Sequence, residues 1–219
     1  MHLEEILHTL QYAKEEIERA KAAERLGDFE GEQVIAALID AMGDEGQLVQ
    51  VAAAASLKKH CPGCAPHLRT ALLDMRLLVR WGAAELLKDC PSSETEAALR
   101  LALGDESSHV RGAAARSLRG MVKESTTITE LRKLLDDPDS FPRYQALLTL
   151  RAVDPRLVDE AQIIERDLHA DDPLTRVAAI NFIREDQRRE WLDEIEKLRQ
   201  DPDFRVRRAA IWAWERLSK

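Results

Sequence analysis

An alanine recurs six times along the chain at nearly constant intervals, and this period constrains the fold more than any other feature. Successive copies are 30, 31, 32, 33 and 31 residues apart, at Ala53, Ala83, Ala114, Ala146, Ala179 and Ala210. A large apolar residue stands four positions after each, at Leu57, Leu87, Leu118, Leu150, Ile183 and Trp214. Residues four apart share one face of a helix, so each copy predicts an amphipathic helix with this stripe buried. Alanine suits the stripe because only a small side chain fits where two helices approach closely.

A second apolar column accompanies the first at a fixed distance. We take the start of each copy of the motif, its phrase start, as the residue four positions before the alanine. Eleven residues before each phrase start stands a Leu or Ile, at Leu38, Leu68, Leu99, Leu131, Ile164 and Ile195. The constant offset predicts a rigid helix pair, an A helix followed by a turn and a B helix, with all length variation between pairs. Capping boxes at 93–96 and 127–130 predict the starts of two A helices.

Two polar columns complete the pattern. Five residues before the phrase start stands an aspartate, replaced once by Ala170, at Asp44, Asp74, Asp105, Asp137 and Asp201. One residue after the start stands an arginine, replaced once by Gln50, at Arg80, Arg111, Arg143, Arg176 and Arg207. Turn aspartates and sideways-pointing arginines favour a structural ladder of hydrogen bonds between repeats over a binding role.

The combined pattern over residues 32–219 resembles the short HEAT-like repeats of the phycobilisome-lyase type. We therefore predict an all-α fold, a right-handed α-α superhelix or HEAT-like (armadillo-like) solenoid of six helix pairs. Residues 1–31 read as an N-terminal helical cap, and 32–219 as one continuous array. The N-terminus lacks the features of a signal peptide, and three cysteines do not form a disulfide framework, so we expect a cytoplasmic protein.

The outer positions of the B helices carry positive charge and aromatic rings, although the formal net charge of the chain is −8. The resemblance implies that B helices line the concave side of the solenoid, so we expect a basic, aromatic-lined groove there. The candidate partner-binding residues are Trp81, Lys88, Arg116, Arg119, Tyr144, Leu148, Arg151, Arg184, Arg208 and Trp212. Aromatic anchors with nearby basic groups are suited to an acidic or amphipathic protein segment. The alternative without a binding role is that these long basic side chains only keep the helices soluble.

These features favour a non-enzymatic protein-protein interaction scaffold that needs no cofactor and no metal. Nucleic-acid binding is the main alternative, because a basic groove with Trp side chains is similar to that of HEAT-like alkylpurine DNA glycosylases; the acidic total argues against it. Deoxyhypusine hydroxylases are also similar solenoids, but no histidine here is followed by the glutamate their iron sites need. A bilin lyase activity would rest on the repeat resemblance alone.

One local cluster could carry chemistry. Cys61 and Cys64 form a Cys-x-x-Cys pair flanked by His60 and His67, and Cys90 follows one repeat later. The cluster is consistent with a zinc site in a lyase or metal-binding accessory protein, with a dithiol, or with an ordinary loop between repeats. We assign no metal to it from sequence, because the second cysteine pair of a zinc ribbon is missing.

Overall fold

The computed structural model describes residues 2–219, and the described residues form fourteen α-helices joined by turns, without a β-strand. This confirms the all-α class. The chain divides into two compact units, one ending at Leu131 and the other running from Arg132 to Lys219. The helices that begin in the first unit are α1 (Leu3–Tyr12), α2 (Glu16–Leu26), α3 (Glu32–Ala41), α4 (Gln47–Lys59), α5 (Ala65–Ala71), α6 (Leu77–Leu86), α7 (Ser93–Ala102), α8 (Ser108–Ser117) and α9 (Ser125–Lys133).

Within the first unit the helices pack in pairs and in two layers. Each A helix packs against the B helix that follows it, as α3 does on α4 and α5 on α6. The B helices α2, α4, α6 and α8 also pack on one another in chain order, and so do the A helices α3, α5 and α7. Repeated pairs stacked on their neighbours are the arrangement the sequence period predicts.

The second unit continues with α10 (Ser140–Val153), α11 (Glu160–Leu168), α12 (Pro173–Glu185), α13 (Leu192–Leu198) and α14 (Phe204–Leu217). Here α12 packs on α10, α11 and α14, and α13 packs on α14. The core of this unit includes Ile164, Ile183, Ile195 and Leu217. Trp214, in the column that is fully buried elsewhere, is half-buried under the guanidinium of Arg199, whose carbon lies 4.8 Å from the ring centroid.

The apolar columns are buried as predicted. All six period alanines and all six A-helix residues of the second column are 0% exposed, and so are the first five of the large residues four positions after the alanines. These side chains interdigitate between helices, where close packing leaves no room for a larger residue at the alanine positions.

The aspartates of the polar column organise the turns between A and B helices. Asp44, Asp105 and Asp201 each accept the backbone N–H two residues further on, at distances of 2.7–2.8 Å. Such a bond mimics a backbone turn and holds the carboxylate in place. The carboxylate is thereby positioned to accept hydrogen bonds from an arginine guanidinium of the preceding repeat.

The arginines link consecutive repeats, which confirms the predicted ladder. The Arg80 Nη1 donates to the carbonyls of Asp74 and Met75 in its own turn, at 2.9 and 3.1 Å. Its Nε and Nη2 donate to Asp105 of the next repeat at 2.8 and 3.2 Å. The same geometry joins Arg176 to Asp201. Each guanidinium thus satisfies turn carbonyls and a carboxylate at once, and both side chains of the Arg80 pair are about nine-tenths buried.

The repeat that has Ala170 in place of the column aspartate supplies a different aspartate as the partner of the preceding arginine. Ala170 occupies the position, and Arg143 instead donates to Asp167 at 2.9 and 3.0 Å, while its Nη1 still binds the carbonyls of Asp137 and Pro138. Asp167 lies on α11 and is 2% exposed.

The N-terminal segment, which the sequence predicts to be a cap, contains the same arrangement of an arginine bound to turn carbonyls and to an aspartate of the next helix pair. Arg19 donates to Asp44 at 2.8 and 2.9 Å and to the carbonyls of Ala13 and Lys14 at 3.0 Å. Its partners have the spacing seen around Arg80, so α1 and α2 are built like the helix pairs that follow. Gln50, which replaces the arginine in the next copy, keeps one of these bonds by donating to the Asp44 carbonyl at 2.7 Å.

The two predicted capping boxes were placed wrongly. The N-cap of α7 is Ser92, whose side chain accepts the Thr95 N–H, one residue before the predicted start. Thr127 is buried inside α9, which begins at Ser125. The N–H groups of Lys123 and Glu124 donate instead to the buried Glu96 of the preceding A helix, at 3.0–3.2 Å. A side chain from a neighbouring helix satisfies these donors, and a local motif cannot reveal it.

Candidate functional site

The predicted binding residues differ in how far the structure exposes them. Trp81, Lys88, Arg116, Arg119, Arg208 and Trp212 are exposed, Leu148, Arg151 and Arg184 are half-buried, and Tyr144 is buried. The two tryptophans are 39% and 65% exposed. They lie in different compact units, Trp81 on α6 and Trp212 on α14, so we describe two separate surfaces.

The prediction that Tyr144 is an exposed anchor is wrong. The residue is 7% exposed and lies in the core of the second unit, where its ring stacks on Phe182 with centroids 4.6 Å apart. Burial raises the pKa of its hydroxyl above the ordinary value. The large apolar ring is more stable inside the aromatic pair than in water, so α10 turns this position inward.

Several of the predicted basic groups already have acidic partners. Arg116 pairs with Glu85 of the neighbouring repeat. Arg151 donates to Asp186 at 2.6 and 3.0 Å and to Glu160 at 2.9 Å. The hydrogen bonds from Arg151 hold the pKa of Asp186 below its ordinary value, although burial opposes this. The predicted basic residues therefore carry less unpaired positive charge than the count of Lys and Arg implies, because Glu85, Glu160 and Asp186 balance part of it.

The first surface surrounds Trp81 and is mainly apolar. Val51 on α4 is 61% exposed, and Leu78 and Trp81 on α6 are 38% and 39% exposed. These residues and Met42 line a depression of about 280 Å³. Gly82 lies at its base, where a Cβ would approach the Met42 sulfur to 2.8 Å, so the methionine packs closely against the helix backbone. We call this region the Trp81 surface.

The second surface surrounds Trp212, between α12 and α14. Leu174 and Trp212 are 57% and 65% exposed, and Phe204 and Ile211 are 61% and 42% exposed. Trp212 lines two depressions, of about 560 and 400 Å³. The Arg184 guanidinium carbon lies 4.7 Å from the ring centroid, a cation–π contact that orients the indole. We call this region the Trp212 surface.

Two of the predicted basic groups have no side-chain partner among the residues that the structure describes. Lys88 and Arg208 are exposed, and among residues 2–219 neither makes a side-chain hydrogen bond or ion pair. Arg208 lines both depressions next to Trp212. Its guanidinium is therefore available to an acidic group on a binding partner, unlike that of Arg151.

The cysteines are the residues that could hold a metal. The sulfurs of Cys61, Cys64 and Cys90 all lie within 4.8 Å of one another. Cys64 and Cys90 are buried and Cys61 is half-buried, and all three are free thiols. Burial raises the pKa of the Cys90 thiol to about 12. The sequence named Cys90 as one of three candidates to complete a site around the Cys-x-x-Cys pair, and the structure selects it over the two histidines.

Comparison with known families supports the repeat assignment. Residues 65–151 match the family model for HEAT repeats, which confirms the resemblance seen in the polar columns. The chain matches no curated protein sequence. Across residues 2–219, none of the helices combines the length and the apolarity that crossing a bilayer requires.

Solved structures show the same fold at low identity. The X-ray structure of YibA from Escherichia coli matches with a TM-score of 0.54 and 18% identity over 98% of this chain and 81% of that one. The complex of CpcE and CpcF of phycocyanin lyase from Nostoc sp. PCC7120 contains a chain that matches with a TM-score of 0.52 and 18% identity, covering 99% of this chain and 95% of that one. At such identity the likeness shows a shared helical repeat fold.

Proposed function

We propose that this chain of HEAT-like repeats is a non-enzymatic scaffold that binds another protein through the Trp81 and Trp212 surfaces. The observation that carries the proposal is the exposure of both indoles, at 39% and 65%, among other exposed apolar side chains. A single exposed apolar residue is ordinary, but a contiguous group marks an interaction surface.

The chemistry of the two surfaces favours an amphipathic partner segment. Trp is enriched among the residues that contribute most to binding energy, and the depressions beside Trp81 and Trp212 are lined mainly by apolar side chains. At each surface an apolar helix face or extended strip would bury the indole, and at the Trp212 surface an acidic side chain of that segment would pair with Arg208. We assign Arg116 and Arg151 a supporting role, because each already pairs with an acidic side chain of the chain itself.

Two further considerations support a scaffold. The fold is built from repeats, and stacked repeats present extended surfaces suited to a protein partner. One similar solved chain, in the CpcE and CpcF structure, is part of a complex of two proteins. The three free thiols are consistent with the cytoplasm, where we place the interaction.

The experiment compares the wild-type protein with Trp81→Ala and Trp212→Ala as bait in affinity capture, followed by titration of each recovered partner in purified form. Leu101→Ala is the matched control, because this exposed apolar residue lies on the A helix α7 and lines neither the Trp81 nor the Trp212 depressions. We expect a tryptophan substitution to weaken affinity by about 30-fold or more, as for a residue at the centre of an interface. The Leu101→Ala variant should bind as the wild type does.

Arg208→Glu tests the charge of the partner. We expect weaker binding, with a reduced salt dependence, if the partner presents an acidic group to the Trp212 surface. Recovery of the same partners with unchanged affinity by both tryptophan variants would contradict the proposal. Tight binding to duplex DNA with a steep loss of affinity on adding salt would assign the surface to nucleic acid instead.

A further inference from the structure

The fold brings all three cysteines of the chain to one place, although they are separated in sequence. Cys61 lies in the turn after α4, Cys64 is the residue before α5, and Cys90 follows the short helical turn that ends the B helix of the next repeat. Two consecutive repeats therefore contribute to one cluster within the first compact unit. The sequence pair alone offers two sulfurs, and the stacking of the repeats adds the third.

The spacing of the sulfurs fits a common metal ion. Thiolates bound to one zinc at about 2.3 Å in tetrahedral geometry lie about 3.8 Å from each other. Here the Cys61 and Cys64 sulfurs are 3.2 Å apart, and no two of the three exceed 4.8 Å. Small side-chain rotations would therefore place all three at bonding distance from one ion.

The surroundings favour a divalent thiophilic ion. Cys64 is 0% exposed and Cys90 is 2% exposed, so charge left on the thiolates would be costly. A divalent ion leaves less net negative charge on three thiolates than a monovalent one does. The nearby Asp89 is already paired with Lys58, at 3.4 Å. The half-buried position of Cys61 leaves one side of the cluster open to an additional ligand from solution.

We propose that Cys61, Cys64 and Cys90 form a three-thiolate site for Zn²⁺, with the fourth coordination position taken by a ligand from solution. The ion would join the end of one repeat to the end of the next. It would thus stabilise the first compact unit whether or not the tryptophan surfaces bind a protein, so the site is independent of the scaffold proposal.

The test uses the full-length chain, reduced and freed of metal. Zinc is titrated in competition with a chromogenic chelator, stoichiometry is read by native mass spectrometry, and thiols are counted with Ellman's reagent. We expect one zinc per chain, protection of three thiols by zinc and a rise in the midpoint of thermal unfolding. Cys61→Ser and Cys90→Ser should each lose more than the roughly 100-fold in affinity that removal of an outer-shell partner costs. His67→Ala, which removes an alternative zinc-binding group on α5, should bind zinc as the wild type does.

Three results would overturn the proposal. Absence of zinc uptake by the wild-type protein, together with freely reacting thiols, would exclude the site even if a variant does not fold. Equal zinc affinity of Cys90→Ser and the wild type would exclude the third cysteine as a ligand. A protein purified without reductant that shows one reactive thiol, and three after reduction, would identify a disulfide-forming pair instead.

Discussion

Replacing Arg80 by alanine should destabilise the first compact unit because it breaks a buried link between two repeats. The substitution removes the bonds to both oxygens of Asp105, to Glu106 and to two turn carbonyls. The side chains of Arg80 and Asp105 are 9% and 10% exposed, so water cannot fully replace the lost guanidinium. Of the hydrogen bonds described above, Asp105 would retain the one from the Ser107 N–H at 2.8 Å.

The magnitude follows from the burial of the pair. Removing one member of a buried ion pair costs about 3–5 kcal/mol, and the residual exposure of this pair favours the lower end. A loss of about 3 kcal/mol lowers the thermal midpoint by roughly 6–12 °C in a chain of this size. The free energy of unfolding is measured by urea denaturation followed by far-UV circular dichroism, a signal that depends little on the nearby Trp81.

Arg76 provides a matched control four residues away. It too binds two carboxylates, Asp74 at 3.0 Å and Asp40 at 2.7 Å, but its side chain is 44% exposed. Exposed ion pairs contribute about 0–1 kcal/mol, so Arg76→Ala should have a small effect. The double variant Arg80→Ala with Asp105→Ala should cost less than the sum of the single variants, by about 0.5–3 kcal/mol. If Arg80→Ala and Arg76→Ala differed by less than about 0.5 kcal/mol, burial would not decide the strength of these links.

Two further predictions concern the core and the start of α9. Ala53→Leu should destabilise by about 1–3 kcal/mol because Ala53 is 0% exposed, whereas Ala55→Leu on the exposed face of α4 should change stability by less than about 0.5 kcal/mol; equal urea midpoints for the two would refute the packing argument. Glu96→Gln should cost about 1–3 kcal/mol near neutral pH, because the carboxylate accepts the N–H groups of Lys123 and Glu124. Burial opposes ionisation of Glu96, but these bonds outweigh it and hold its pKa below the ordinary value. The stabilisation is therefore present above the unfolded-state pKa and is lost as pH falls through the lower folded-state pKa, so the gap in thermal midpoint between the two proteins should be constant from pH 6 to 8 and close in acid, roughly below pH 4. A gap unchanged in acid would show that ionisation of Glu96 is not involved.

The sequence alone determined the helix pairs, their period and the residues that face the core. It could do so because burial of one stripe per helix is a local requirement that repeats with the chain, as at Ala114 and Leu118. The Asp and Arg columns could also be recognised in the sequence, since Arg80, Arg143 and Arg176 bind a carboxylate of the next repeat at a separation of 24 or 25 residues. The sequence pattern did not predict the partner of Arg143, because that partner, Asp167, lies outside the aspartate column.

Only the tertiary structure decided which outer residues remain available at the surface. Tyr144 and Trp212 occupy similar helical positions, yet one ring is buried on Phe182 and the other is 65% exposed. Whether a basic residue is free depends on carboxylates from other repeats, such as Asp186 beside Arg151. Cys90 likewise meets Cys61 and Cys64 only through the stacking of repeats. The period and polarity of the helices repeat along the chain and can be read from it, whereas these partners are residues about 30 positions apart that belong to no repeating column of the sequence.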